Sequence, residues 1–195
     1  MEIGILGTGN VGSALARGFD AAGHDVVLGS RTPDETAIDG LRVVDQRAAA
    51  EHGDAVVLAL PSDAIDDVAA DLSDALADKP TIDTANEYPT ASDGPSIAER
   101  VAEAAPDAKV VKAFNTIGAN LMTDPVVDGE RATMFLAGDD AIACEQVDAL
   151  ATDLGFDVVP AGALARAELL EDLARLWIHC SGEYGRDIAF RLLRE

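Results

Sequence analysis

The chain has 195 residues, 36 of them Asp or Glu against 14 Lys or Arg, for a formal net charge of −22. That balance excludes the basic surface with which nucleic-acid binders displace counterions. The acids are interspersed with periodic apolar residues, which make up 48% of the chain, so a disordered acidic protein is excluded too.

Ile3 to Leu6 reads as a short buried strand, followed by helical periodicity from Asn10 to Ala22 through Val11, Leu15 and Phe19. A second strand is expected at Asp25 to Leu28, a third at Leu41 to Val44, and a helix across Gln46 to Glu51. Ala55 to Leu60 is continuously apolar, as a strand buried on both faces should be. A helix opens at Ser62 and runs through Ile65 and Val68. Strand Thr81 to Asp83, helix Pro95 to Ala104 and strand Val110 to Phe114 follow, then strand Ala132 to Ala137, helix Asp140 to Leu154 and strand Phe156 to Val159. The periodicity then predicts a long helix from Leu164 to Ile178 and a last one from Gly182 to Leu193. Strands alternating with helices imply an α/β fold. The expected form is a doubly wound, mostly parallel sheet over residues 1–160 with the first strand central. Residues 161–195 form a helical C-terminal extension packed on it, at a dimer interface or the substrate cleft. Leu169, Leu170, Leu173, Leu176 and Trp177 form the stripe expected to serve as core or subunit contact.

Gly7-Thr8-Gly9-Asn10-Val11-Gly12 fits G-x-G-x-x-G between a strand and a helix, with a second strand at the right distance. In that context the pattern is a dinucleotide site of the Rossmann type. The turn lets the backbone approach a pyrophosphate, which sits on the free N–H groups of the helix. An NAD-selective site carries an acid at the end of the second strand, for the ribose hydroxyls. Here that place holds Gly29-Ser30-Arg31-Thr32. Arg31 offers a planar fork to a 2′-phosphate, and Ser30 and Thr32 offer hydroxyls, so the expected cofactor is NADP(H). Asp34 and Glu35 come too late for the acidic role and are expected to cap the next helix.

The segment GTGNVGSALAR at Gly7 to Arg17, with Gly29-Ser30-Arg31, resembles the small NADP oxidoreductases that use the deazaflavin coenzyme F420. Leu58-Ala-Leu-Pro61, the strand end at Ile82 to Asn86, and Val111-Lys-Ala-Phe-Asn-Thr-Ile-Gly118 extend the resemblance. So do Ala137-Gly138-Asp139-Asp140, Leu154-Gly155-Phe156 and Ala161-Gly162-Ala163-Leu164. The cytosolic domain of six-transmembrane ferric reductases has a similar layout, including a Lys-Ala-Phe-Asn segment. One departure stands out: deazaflavin enzymes of this type often carry His-Thr-Ile-Pro where this chain has Asn115-Thr116-Ile117-Gly118.

The resemblance implies hydride transfer between NADP(H) and a second redox cofactor, F420 or a flavin. Ligands on such sheets bind outside the carboxyl ends of the strands. The rings are therefore expected between Leu60-Pro61-Ser62, Thr84-Ala85-Asn86 and the segment Asn115 to Gly118, with Leu60, Pro61, Ala85, Asn86, Asn115, Ile117 and Gly118 in contact with cofactor and Asn115 and Thr116 orienting an amide or ring carbonyl. His24, His52 and His179 are expected to be structural or solvent-facing, and Cys144 and Cys180 fit no metal or CxxC spacing. Two other readings remain: a reductase of flavin, Fe(III) or a small carbonyl or imine compound, and a non-catalytic redox sensor. A homodimer is expected, with no nucleic acid, membrane or metal partner. No apolar run reaches the roughly 20 residues of a membrane span and no signal peptide is legible, which implies a cytoplasmic protein. Only Lys79, Lys109 and Lys112 are lysines, and an acid-rich, lysine-poor surface is the expected adaptation to high salt.

Overall fold

Most strands of the main sheet are short runs rich in β-branched and aliphatic residues. The computed structural model of the chain describes residues 1–38, 40–89 and 94–194. In chain order the first half comprises β1 (Glu2–Leu6), α1 (Asn10–Ala21), β2 (Asp25–Ser30), β3 (Arg42–Asp45), α2 (Gln46–His52), β4 (Ala55–Leu58), α3 (Ile65–Asp71), α4 (Ser73–Leu76) and β5 (Pro80–Asp83). The second half comprises α5 (Ile97–Ala104), β6 (Lys109–Lys112), a small hairpin β7 (Val126–Val127) and β8 (Glu130–Arg131), β9 (Thr133–Gly138), α6 (Ala141–Asp153), β10 (Asp157–Gly162) and α7 (Ala167–Tyr184). β1, β3, β4, β5, β9 and β10 each lead into a helix that covers the sheet.

Eight strands form one sheet in the order β10-β9-β6-β5-β4-β1-β2-β3. From β3 to β6 all neighbours are parallel; β9 joins β6 antiparallel and β10 runs parallel to β9. β1 is interior, between β4 and β2, with all four residues Ile3 to Leu6 buried. A parallel sheet of this kind needs both faces covered. One face packs under α1 and α6 through Leu15, Phe19, Val147 and Leu150. The other packs under α2, α3, α4 and α5 through Ala49, Ile65, Leu76 and Val101. Edge-to-face contacts of Phe114 with Phe19 and Phe156, at 6.0 and 6.1 Å, fill the first core.

The C-terminus departs from the sequence expectation. α7 runs past Ile178 to Tyr184 and stops where Gly185 adopts φ 83°; the described residues after it form no helix. The expected helix from Gly182 to Leu193 is therefore an extended tail. Its apolar residues Ile188, Phe190 and Leu192 fall at every second position, the spacing of extended chain. Trp177 Nε1 donates to Ile188 O at 2.9 Å, Thr133 N to Phe190 O at 2.9 Å and Leu192 N to Thr133 Oγ1 at 3.0 Å. Nor do Asp34 and Glu35 cap a following α-helix. They sit in a single 3₁₀ turn, Pro33–Glu35, and Asp45 caps α2 by accepting from Ala48 N at 2.9 Å. α5 begins at Ile97 behind a capping box in which Ser96 and Glu99 close each other's backbone N–H groups.

Candidate active site

The glycine turn lies at the carboxyl end of β1, at the mouth of a cleft of about 940 Å³. Gly7 takes φ 116°, and a Cβ there would also strike Ala59 O at 2.2 Å. A Cβ on Gly12 would meet Gly7 O at 2.0 Å, so α1 can lie this close to the turn only with hydrogen at that position. Gly9 caps α1 without a side chain to close the first N–H groups of the helix, and the space over its Cα is open. Unclosed N–H groups at the positive end of a helix are what a pyrophosphate needs. Ser13 Oγ donates to Thr8 O at 3.0 Å and fixes the turn from behind.

The second wall is the end of β2. Ser30 Oγ accepts from Thr32 N at 3.1 Å and bonds Thr36 Oγ1 at 3.0 Å; Thr36 Oγ1 in turn donates to Thr32 O at 2.8 Å. These hydroxyls brace the loop that carries Arg31. Arg31 is exposed on the cleft wall and makes no ion pair among the described residues. Among the described residues no carboxylate lines this cleft.

The floor is built by β4 and β5. Thr84 Oγ1 donates to Leu58 O at 3.1 Å, and Ala85 N to Asp83 Oδ1 at 2.8 Å. Asn86 and Asn115 clasp each other: Asn86 Nδ2 donates to Asn115 O and Asn115 Nδ2 to Asn86 Oδ1, both at 2.9 Å. Asn115 Nδ2 also donates to Leu170 O of α7 at 3.0 Å.

Beneath this floor lies a buried ionic cluster. Lys112, fully buried at the end of β6, donates from Nζ to Asp83 Oδ2 at 2.7 Å, Ala85 O at 2.5 Å and Glu171 Oε1 at 2.9 Å. Three acceptors saturate the ammonium. Glu171 Oε1 also accepts from Ile97 N at 2.9 Å, filling an open N–H at the start of α5. Burial pushes the Glu171 carboxyl above its usual range; Lys112 opposes the rise and the Asp83 carboxylate adds to it. Through Glu171 and Leu170, α7 is tied to the floor of the cleft.

Of the residues singled out in the sequence, Gly7, Thr8, Gly9, Asn10, Val11, Ser30, Arg31, Thr32, Leu60, Pro61, Ala85 and Asn86 line the cleft together. Gly12 supports it from below. Asn115, Thr116, Ile117 and Gly118 do not line it: all four are buried behind Asn86. A Cβ on Gly118 would meet Trp177 at 3.0 Å and Asn120 Oδ1 at 2.5 Å, so this glycine makes room for α7. Thr84, of the expected segment Thr84 to Asn86, lines it too, whereas Ser62 does not; Thr36 and Gln46 line the cleft without having been singled out. The Lys112 cluster was also missed, although a lysine inside the apolar run Val110 to Phe114 signals a buried counter-charge. His24 bonds Asp153 Oδ2 at 3.2 Å, His52 lies 3.6 Å from Asp25 Oδ1 and His179 is exposed; none lines the cleft. No group of three or more His, Cys, Asp or Glu among the described residues could hold a metal, and no described helix is long and apolar enough to cross a membrane.

Residues 2–87 match the family model described as NADP oxidoreductase, coenzyme F420-dependent. A solved structure from an Arthrobacter species, titled a putative F420-dependent NADP reductase, is 30% identical, covers each chain completely and superposes with a TM-score of 0.89. The chain belongs to this family. The F420-dependent NADP reductase of Methanothermobacter thermautotrophicus is 27% identical over 92% of this chain and 88% of its own. The rat metalloreductase STEAP3 is 33% identical over 87% of this chain. The chain spans only 36% of the length of that metalloreductase and of the related STEAP2 proteins. For members of a family of NADP oxidoreductases, a cleft with one arginine and no acid at the end of β2 is the expected arrangement.

Proposed function

We propose that the chain transfers a hydride between NADP(H) and a second redox cofactor, the deazaflavin F420. The observation that carries the reading is a cleft at the glycine turn that, among the described residues, holds one arginine without an acid partner and no carboxylate, in a chain of net charge −22. The backbone N–H groups at the start of α1 hold the pyrophosphate. Arg31 takes the 2′-phosphate from the loop braced by Ser30 and Thr36, with Thr32 beside it. Leu60, Pro61, Ala85 and Asn86 flank the nicotinamide and exclude water on their side. Asn115 acts through Asn86, holding its amide in place, and Thr116 supports the same strand end.

When bound, the nicotinamide supplies or accepts the hydride, and the accompanying proton exchanges with water. No His, Cys, Tyr, Lys, Asp or Glu lines the cleft among the described residues, which suits a step driven by positioning rather than acid–base catalysis. On one face of α7, Leu169 is 56% and Leu176 50% exposed, with Leu173 half-buried between them. That face supports pairing with a second copy of the chain. The acidic surface supports work in a salt-rich cytoplasm.

The test mixes purified protein and NADPH in high salt with F420, FMN, an Fe(III) chelate or a cyclic imine, and follows loss of NADPH absorbance. Oxidation by F420 well ahead of the others is expected. Faster oxidation by another acceptor, or by none, refutes the deazaflavin assignment.

A further inference from the structure

A second cavity, of about 660 Å³, opens on the other side of the glycine turn and shares Thr8, Gly9 and Asn10 with the cofactor cleft. Its remaining wall is Ser13, Ala14 and Arg17 of α1, Ala119 and Asn120 of the turn after β6, and Arg186 of the C-terminal tail. Among the described residues no carboxylate lines it. Three other hollows all include Asp153, and one of them adjoins this cavity through Arg17.

Both arginines lack a carboxylate partner among the described residues. Arg17 Nη1 reaches only Ser13 O, at 3.4 Å, and Arg186 lies over the Trp177 ring at 5.4 Å. Arg47, Arg100, Arg175, Arg191 and Arg194 each pair with an acid, whereas Arg31, Arg42, Arg131 and Arg166 also lack one among the described residues; Arg17 and Arg186 differ from these in lining one cavity together. The nearby Asp187 pairs with neither arginine; it accepts from Nδ2 of the wall residue Asn120 at 2.8 Å. The fold goes to some length to bring Arg186 here. Gly185 turns the chain, Ile188 O is held by the Trp177 indole, and Trp177 packs on Gly118. A stacked guanidinium keeps its N–H edge free for a phosphate.

We propose that this cavity binds the phosphate of a flavin-type or deazaflavin-type second substrate, with Arg17 and Arg186 as its two cationic contacts. The proposal rests on the hydride-transfer reading above and adds the determinant that selects phosphorylated acceptors. Thr8, Gly9 and Asn10 line both cavities, so a substrate held here adjoins the dinucleotide at the glycine turn.

The experiment titrates NADP⁺-saturated protein with oxidised FMN and with riboflavin at one fixed salt concentration, and repeats this with Arg17→Ala/Arg186→Ala. Each arginine is exposed, so the variant is expected to fold. FMN should bind about tenfold or more tighter than riboflavin. In the variant that preference should fall to within about twofold, with NADP⁺ affinity unchanged. Four results overturn the proposal: equal binding of the two flavins, a preference that survives in the variant, no binding of either, or a parallel loss of NADP⁺ affinity. The last would assign the arginines to the dinucleotide. Turnover with F420 is scored separately. Reduction of F420 with unchanged KM in the variant removes this site and leaves the hydride-transfer reading standing. Absence of F420 reduction with an intact FMN preference does the reverse.

Discussion

Replacing Lys112 with Met keeps the length of the side chain and removes its charge, stranding two carboxylates that now share one ammonium. The wild-type contacts are short and the site is dry: Nζ reaches Asp83, Ala85 and Glu171 at 2.7, 2.5 and 2.9 Å with Lys112 fully buried. Removing one member of a buried ion pair costs about 3–5 kcal/mol, against a total stability of about 5–15 kcal/mol for a domain. The cost depends on pH. Burial already holds the Glu171 carboxyl above its usual range, and Lys112 is the group that opposes the rise. In Lys112→Met the carboxyl climbs further above its unfolded value, so the folded state binds the extra proton. A group whose folded pKa is raised contributes stability that is complete below the unfolded pKa and disappears as pH rises through the folded one. The deficit relative to wild type should therefore be smallest near pH 5 and grow toward pH 8, by about 1.4 kcal/mol per unit of additional shift. Trp177, the one tryptophan, is 5% exposed on α7, the helix that Glu171 anchors, and reports its unfolding. Urea melts at fixed salt, read by its fluorescence, give the two stabilities at each pH. A deficit that is absent, or equal at about pH 5 and pH 8, would refute the argument. Adding Glu171→Gln to Lys112→Met should flatten the pH dependence.

Arg31→Ala should weaken NADPH binding about tenfold to a hundredfold, the value of a charge-assisted pair, and leave NADH nearly unchanged; an equal loss for both nucleotides would show that Arg31 holds the shared part of the cofactor. Gly12→Ala places a methyl 2.0 Å from Gly7 O, so dinucleotide titration should show lost affinity and a thermal melt a lower Tm; wild-type values in both would contradict the close-packing role. The Tm should rise between about 0.1 and 1 M KCl, as screening relieves repulsion among the surface acids; a flat or falling Tm would count against adaptation to salt.

The glycine turn and the end of β2 were legible because their meaning is local. A turn between strand and helix, and an arginine where an acid would stand, can be read from adjacent residues. The tail at 186–194 was expected to be helical, whereas Gly185 and the two-residue spacing of Ile188 and Phe190 decided for extended chain. Asn115 to Gly118 follow β6 as expected. What the chain order hides is that β9 reverses direction beside them and α7 lies over them, turning a strand end into an interior. The Lys112 cluster joins residues 29 and 59 positions apart. The lysine in its apolar run announced a partner, and nothing local could say which acid.

The clasp between α7 and the cleft floor also has a meaning in time. Its bonds close spans of 55, 59 and 74 residues, from Leu170 to Asn115 and from Glu171 to Lys112 and Ile97. Closing such loops is paid in chain entropy before any contact forms, and contacts of this separation are made late and slowly. A ribosome that has delivered every residue lining the dinucleotide cleft, the last of which is Asn86, has still to deliver the carboxylate that completes the floor. A fragment ending at residue 160 would carry the whole glycine turn and yet leave the Ile97 N–H and one arm of the Lys112 ammonium without their acceptor. Completion of the cleft floor therefore waits on α7.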